Sequence, residues 1–241
     1  FITIKKSSVP YILGQGILQT TIQYICFYIG LAHTTGAKGS IINGSNALVS
    51  IVAAHFLLKA EKMTFKKGLG CALGLAGVIV VNLSPGAWGE GFHLLGEGMV
   101  LVCAISYGIS SATLKMISRR EGPVAITAYQ MLFGSTIIII VGWVMGGEVS
   151  GFTLKSGILF LYMALLATVA FSIWTVLLKY NPVGKVAIYA FSIAIFGTGL
   201  SAFVLGEHIF SIKSLLALLL VSGGVLIANS KDSRKRNLVS Q

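Results

Sequence analysis

Of the 241 residues, 55% are hydrophobic and only 10% charged, with a mean hydropathy of +0.88. Soluble domains carry roughly 25% charged residues, so this composition excludes a water-soluble globule. The net charge of +11 is scattered through short connections between apolar runs, so no nucleic-acid partner is expected.

Eight apolar runs follow one another: Val9–Leu31, Ala37–Leu58, Lys67–Leu83, Gly96–Ile117, Val124–Val144, Gly157–Leu178, Lys185–Leu205 and Ser211–Asn229. Each can cross about 30 Å of hydrocarbon as a helix. They predict an all-α polytopic membrane protein, a helical bundle in the bacterial plasma membrane, with lipid around it and no soluble appendage.

In the first run, Gln15, Gln19 and Gln23 recur at i, i+4 and i+8, drifting only about 80° around a helix. In the second, Asn43, Asn46 and Ser50 fall within an arc of roughly 60°. An unpaired polar group at membrane depth costs several kcal/mol, so two narrow amide stripes need partners or a cavity. The third run carries Gly70 and Gly74 in a small-xxx-small register, and "VSGG" marks the eighth. Such faces let helices approach closely within one chain, with a homodimer as the alternative use.

The fourth run has Glu97 in its first turn, where the helix dipole favours a carboxylate, and Tyr107 near its centre. Thr168 and Trp174 lie near the centre of the sixth run, and Tyr189 and Ser192 in the seventh. Tyr107, Thr168, Trp174, Tyr189 and Ser192 are expected to face the amides across a solute pathway. Trp88 and Trp143 read as interfacial belt residues. His55 reads as a packed or interfacial histidine, and Glu61 and Glu207 as partners of nearby lysines or caps on the next turn. Cys26, Cys71 and Cys103 show neither metal nor redox spacing and read as apolar fillers, so no disulfide is expected. No catalytic constellation, metal set or cofactor motif is present in the sequence, and no enzymatic activity is expected.

If the chain starts on the cytoplasmic side and crosses eight times, 15 of its 18 Lys and Arg lie inside. Both ends are therefore expected in the cytoplasm. The basic tail, residues 230–241, is expected to rest beside anionic lipid. The chain opens on Phe1 rather than methionine, and an upstream portion is expected.

The segment ending at Asn82 resembles the one ending at Asn229. Lys38 matches Lys185, Gly77 matches Gly224, and Glu61 matches Glu207 after one small gap. Five runs separate the copies, an odd number, so they cross in opposite directions. An inverted repeat is a transporter architecture. The copies occupy 1–83, with three helices, and 96–229, with five. Two helices ahead of the first copy are expected, making eight present of ten.

The stretches "GEGMVLVCAISYGISSATLK", "VLGEHIFSIKSLLALLLVSGGVLIAN" and "LLKAEKMTFKKGLGCALGLAGVIVVN" resemble the EamA family of the drug/metabolite transporter superfamily. The resemblance implies ten helices in two inverted halves and movement of small metabolites, often export. The family often has Pro in its fourth and ninth helices, where this chain reads "NGSNALV" and "SIAIFGT", and Trp where Tyr107 stands. The expected function is export of a small-molecule solute, amino acids or related compounds, by alternating access. A proton-coupled exporter of drugs or organic cations is the alternative, with a channel or a non-transporting protein further off.

Overall fold

The computed structural model describes residues 3–58, 61–82, 93–148, 151–190, 192–205 and 212–230. Among the described residues, every apolar run is mainly helical. We label the helices α1 (9–32), α2 (Gly36–Leu57), α3 (Phe65–Asn82), α4 (Leu94–Ser118), α5 (Pro123–Val144), α6 (Leu154–Tyr180), α7 (Val183–Ala190 and Ser192–Leu205) and α8 (Ile212–Asn229). Among the described residues, α2, α4, α5 and α6 are each long and apolar enough to cross a membrane by length and composition. The basic tail beyond Ser230, Trp88 and Glu207 lie outside the described residues.

The helix starts follow local chemistry. Thr35 caps α2 by accepting the Lys38 N–H at 3.3 Å, and Thr153 and Ser156 form a reciprocal capping box at the start of α6. α5 begins with Pro123, whose fixed φ suits a first helical position and whose missing N–H is not needed there. Two helices depart from α geometry. α1 widens to a π-helix over Ile17–Ile22. α2 breaks at Ser45, whose hydroxyl donates back to the Ile42 carbonyl at 2.6 Å, an interaction that bends helices.

α4 packs against α1, α2 and α6. Glycines set the close crossings. A Cβ at Gly108 of α4 would meet the Ser50 backbone nitrogen at 2.9 Å. A Cβ at Gly44 of α2 would stand 2.7 Å from that of Ala194 on α7. α3 and α8 cross at Gly70 and Gly224, where a Cβ on Gly224 would lie 2.5 Å from the Gly70 carbonyl oxygen. The small-residue faces of α3 and α8 are thus spent inside the chain. One buried cluster gathers Ile41, Leu48, Val100, Ala194 and Val221; another gathers Ile12, Leu114, Ile126, Leu178 and Val183. Trp174 packs against both. α6 by contrast buries only 11% of its most apolar stretch, leaving an apolar face for lipid.

Opposite charges hold the turn between α6 and α7 at both helix ends. Lys115 Nζ donates to the carbonyls of Leu178, at 2.9 Å, and Asn181 at the end of α6. The Glu61 carboxylate accepts the N–H groups of Val183 at 2.9 Å and Gly184 at 3.5 Å. A cation thus meets a helix C-terminus and an anion a helix N-terminus, as the dipoles favour. This corrects the expectation for Glu61: it caps a helix start 122 residues away, because folding returns that end of α7 to the α2–α3 connection. His55 is packed, its Nδ1 accepting the Met63 N–H at 2.8 Å.

Candidate functional site

The amide stripe of α1 meets α4. Gln15 Nε2 donates to Gln19 Oε1 at 2.7 Å and to the Ser110 carbonyl at 3.0 Å, while Gln15 Oε1 accepts the Thr113 hydroxyl at 2.6 Å. Ser106 donates to the Leu18 carbonyl at 2.7 Å, inside the π-helical stretch. Gln15 therefore serves the α1–α4 joint. Gln19 is 1% exposed, yet its Nε2 has no partner among the described residues. The same holds for the carbonyl oxygen of the half-buried Gln23.

On α2, Asn46 is 1% exposed with its side-chain oxygen unpartnered. Asn43 faces α4, where Cys103 Sγ lies 3.8 Å from its Oδ1. Ser50 is buried, but its hydroxyl donates to the Asn46 carbonyl at 2.8 Å and is consumed within α2.

α4 and α6 add aromatic walls. The rings of Tyr107 and Trp174 are 5.9 Å apart at 47°, and those of Tyr24 and Phe171 are 6.4 Å apart. Trp174 keeps a buried, unpartnered indole N–H. Two further polar groups join this class. Gln130 of α5 is wholly buried with both side-chain polar atoms unpartnered, and the Thr198 hydroxyl of α7 is buried and unpartnered.

Two expected residues stand apart. Thr168 is exposed on α6, and its hydroxyl donates to the Ala164 carbonyl of its own helix at 2.8 Å. Tyr189 is 64% exposed. Both stand on exposed sides of their helices, because packing rather than position along the run sets which side is buried. The side chain of Ser192 lies outside the described residues. Gln130, Thr198 and Tyr24 escaped the sequence reading, although Thr127, Ser201 and Thr20 stand one turn from them and marked each as part of a polar face.

Glu97 lies at the start of α4, away from these amides. It accepts the Thr34 hydroxyl at 2.7 Å and the His93 N–H at 2.9 Å, with Lys38 Nζ at 3.5 Å. This ties α4 to the α1–α2 connection. Two clefts, of about 260 and 340 Å³, flank α1 elsewhere, and neither is lined by the amides. Among the described residues, no three metal-binding side chains converge. The buried set can donate and accept hydrogen bonds and stack against apolar or cationic groups, and its members are all uncharged.

The chain resembles known proteins along its whole length. It is 25% identical over 235 residues to the uncharacterized transporter YvbV of Bacillus subtilis (strain 168), covering 96% of this chain and 75% of that protein. An uncharacterized transporter of Acidianus ambivalens is 25% identical over 179 residues, 72% of this chain and 66% of that one. A chloroplastic WAT1-related protein of Arabidopsis thaliana is 29% identical over 115 residues, 46% of this chain and 27% of that protein. A crystal structure shares the fold with a TM-score of 0.67 at 18% identity, over 95% of this chain and 79% of that one. The EamA-like transporter family matches residues 1–83 and 94–230, and with that match the chain belongs to the EamA-like transporters, membrane proteins built as polytopic helical bundles.

Proposed function

We propose that the buried amides and aromatics of α1, α2, α4, α5 and α6 line the pathway of a small solute rich in hydrogen-bonding groups. Amino acids or related metabolites, moved outward, fit it best. One observation carries this reading. Seven buried side-chain polar atoms on Gln19, Gln23, Asn46, Gln130, Trp174 and Thr198 have no partner among the described residues. Each such atom costs about 1–3 kcal/mol when left unmade. A protein retains such groups where a passing solute or its water completes them.

The repeat reading joins this one. The matched helices α2 and α7 pack against each other, as do α3 and α8. That pairing fits a two-fold axis in the membrane plane running between the matched helices, and it supports two halves that rock about a shared site. The basic end of the bundle, where Glu61, Lys115 and Lys179 gather, belongs on the cytoplasmic side by the distribution of Lys and Arg.

The Tyr24, Tyr107 and Trp174 rings favour a second reading, export of an organic cation driven by protons. Flux through the full-length protein in liposomes separates the two, using amino acids and organic cations with and without a pH gradient. Saturable amino-acid flux indifferent to the gradient supports the first reading; gradient-driven cation flux replaces it with the second. Asn46→Leu should lower flux about tenfold, the equivalent of one lost polar contact, with insertion unchanged. Normal flux in that variant would reduce the notch to a helix–helix contact.

A further inference from the structure

At the basic end, a cleft of about 260 Å³ opens between the start of α1 and the end of α4, lined by Ser8, Tyr11, Met116, Ile117, Arg119 and Arg120. Its chemistry is divided. Arg119 and Arg120 are exposed, and neither pairs with a carboxylate among the described residues. The nearest acid in sequence, Glu121, is buried beside the cleft and held by its own donors: its Oε1 accepts the hydroxyl of the lining Ser8 at 2.6 Å and the Lys5 N–H at 3.3 Å. Apart from the buried Ser8, the rest of the lining is Tyr11, Met116 and Ile117, with Tyr11 62% and Met116 45% exposed.

We propose that this cleft is a binding site for an anionic phospholipid, distinct from the solute pathway. The two guanidinium groups hold the phosphate of the headgroup, and an acyl chain lies along Tyr11, Met116 and Ile117. Guanidinium forks match phosphate oxygens in pairs and shed their hydration readily. Basic pockets between helices at the cytoplasmic surface hold anionic headgroups for this reason. The apolar half of the lining selects a lipid over free phosphate, which would leave Tyr11 and Met116 without a partner. The exposed Tyr11 suits the depth at which headgroup meets hydrocarbon.

Native mass spectrometry of the full-length protein tests this, with phosphatidylglycerol and phosphatidylcholine offered at equal concentration. The wild-type protein should retain phosphatidylglycerol preferentially. Arg119→Gln and Arg120→Gln should each weaken that retention about fivefold and leave phosphatidylcholine unchanged. Both arginines are exposed, and unchanged circular dichroism and elution volume would show that the variants remain folded. Lys155→Gln, at the far end of α6, should change neither lipid. Equal retention of the two lipids would overturn the proposal and mean that another segment fills the cleft. So would loss of phosphatidylglycerol in excess inorganic phosphate, which would make it a free-anion site. An equal effect of Lys155→Gln would reduce the preference to net charge and overturn it too.

Discussion

Gly223 and Gly224 are neighbours in the interior of α8, and alanine at each tests the α3–α8 crossing in opposite directions. At Gly223 a Cβ meets nothing within 4 Å. The substitution there should stabilise the protein by up to about 1 kcal/mol, the gain in helix propensity. At Gly224 the new Cβ would stand 2.5 Å from the Gly70 carbonyl oxygen and 2.9 Å from the Gly74 nitrogen. Both are backbone atoms, which cannot swing aside, and ordinary contacts lie near 3.5–4.0 Å. The helices must part by about 1 Å, and overpacking of this kind costs about 1–3 kcal/mol. The variants should therefore differ by about 1–3 kcal/mol, or roughly 2–12 °C in melting temperature for a chain of this size. Fluorescence-detected size exclusion after heating, in one detergent, measures this directly. Gly68→Ala and Gly70→Ala repeat the comparison on α3, where Gly68 is open and a Cβ at Gly70 would press within 2.6 Å of the Ala228 Cβ. Equal melting temperatures for Gly223→Ala and Gly224→Ala would refute the close crossing.

Gln130→Leu should raise thermal stability by about 1–3 kcal/mol, because it removes two buried unpartnered atoms, while lowering flux; higher stability with full flux would remove α5 from the pathway. Glu61→Ala should cost about 1–3 kcal/mol by uncapping α7, and hydrogen exchange should quicken at Val183 and Gly184. Unchanged exchange at those two amides would sink the clamp. Thr168→Val should leave flux unaltered and stability within about 0.5 kcal/mol, since its hydroxyl bonds its own helix on an exposed face. A large loss of flux would return Thr168 to the pathway.

The amide stripe of α1 was legible in the sequence because i, i+4 and i+8 spacing is a property of the helix alone. Its division of labour was not: Gln15 is satisfied by Ser110 and Thr113, 95 and 98 residues away, whereas Gln19 is left with a free donor. Ser50 shows the reverse difficulty, since its place on the stripe is right but its hydroxyl turns back to Asn46. Thr168 was misread because α6 is apolar nearly all round, so its sequence carries little directional signal.

By itself the sequence determined the solvent, the all-helical class and where the apolar helices run. These follow from local constraints: hydrocarbon has one thickness, and every backbone N–H and C=O within it must be satisfied inside its own segment. Only the tertiary structure decided which side of each helix is buried, that Gly70 meets Gly224, that Glu61 caps α7, and that Gln130 and Thr198 join the unpartnered set. Those outcomes rest on contacts between helices far apart in the chain, and rotation of a helix about its own axis is set by such packing rather than by its own residues.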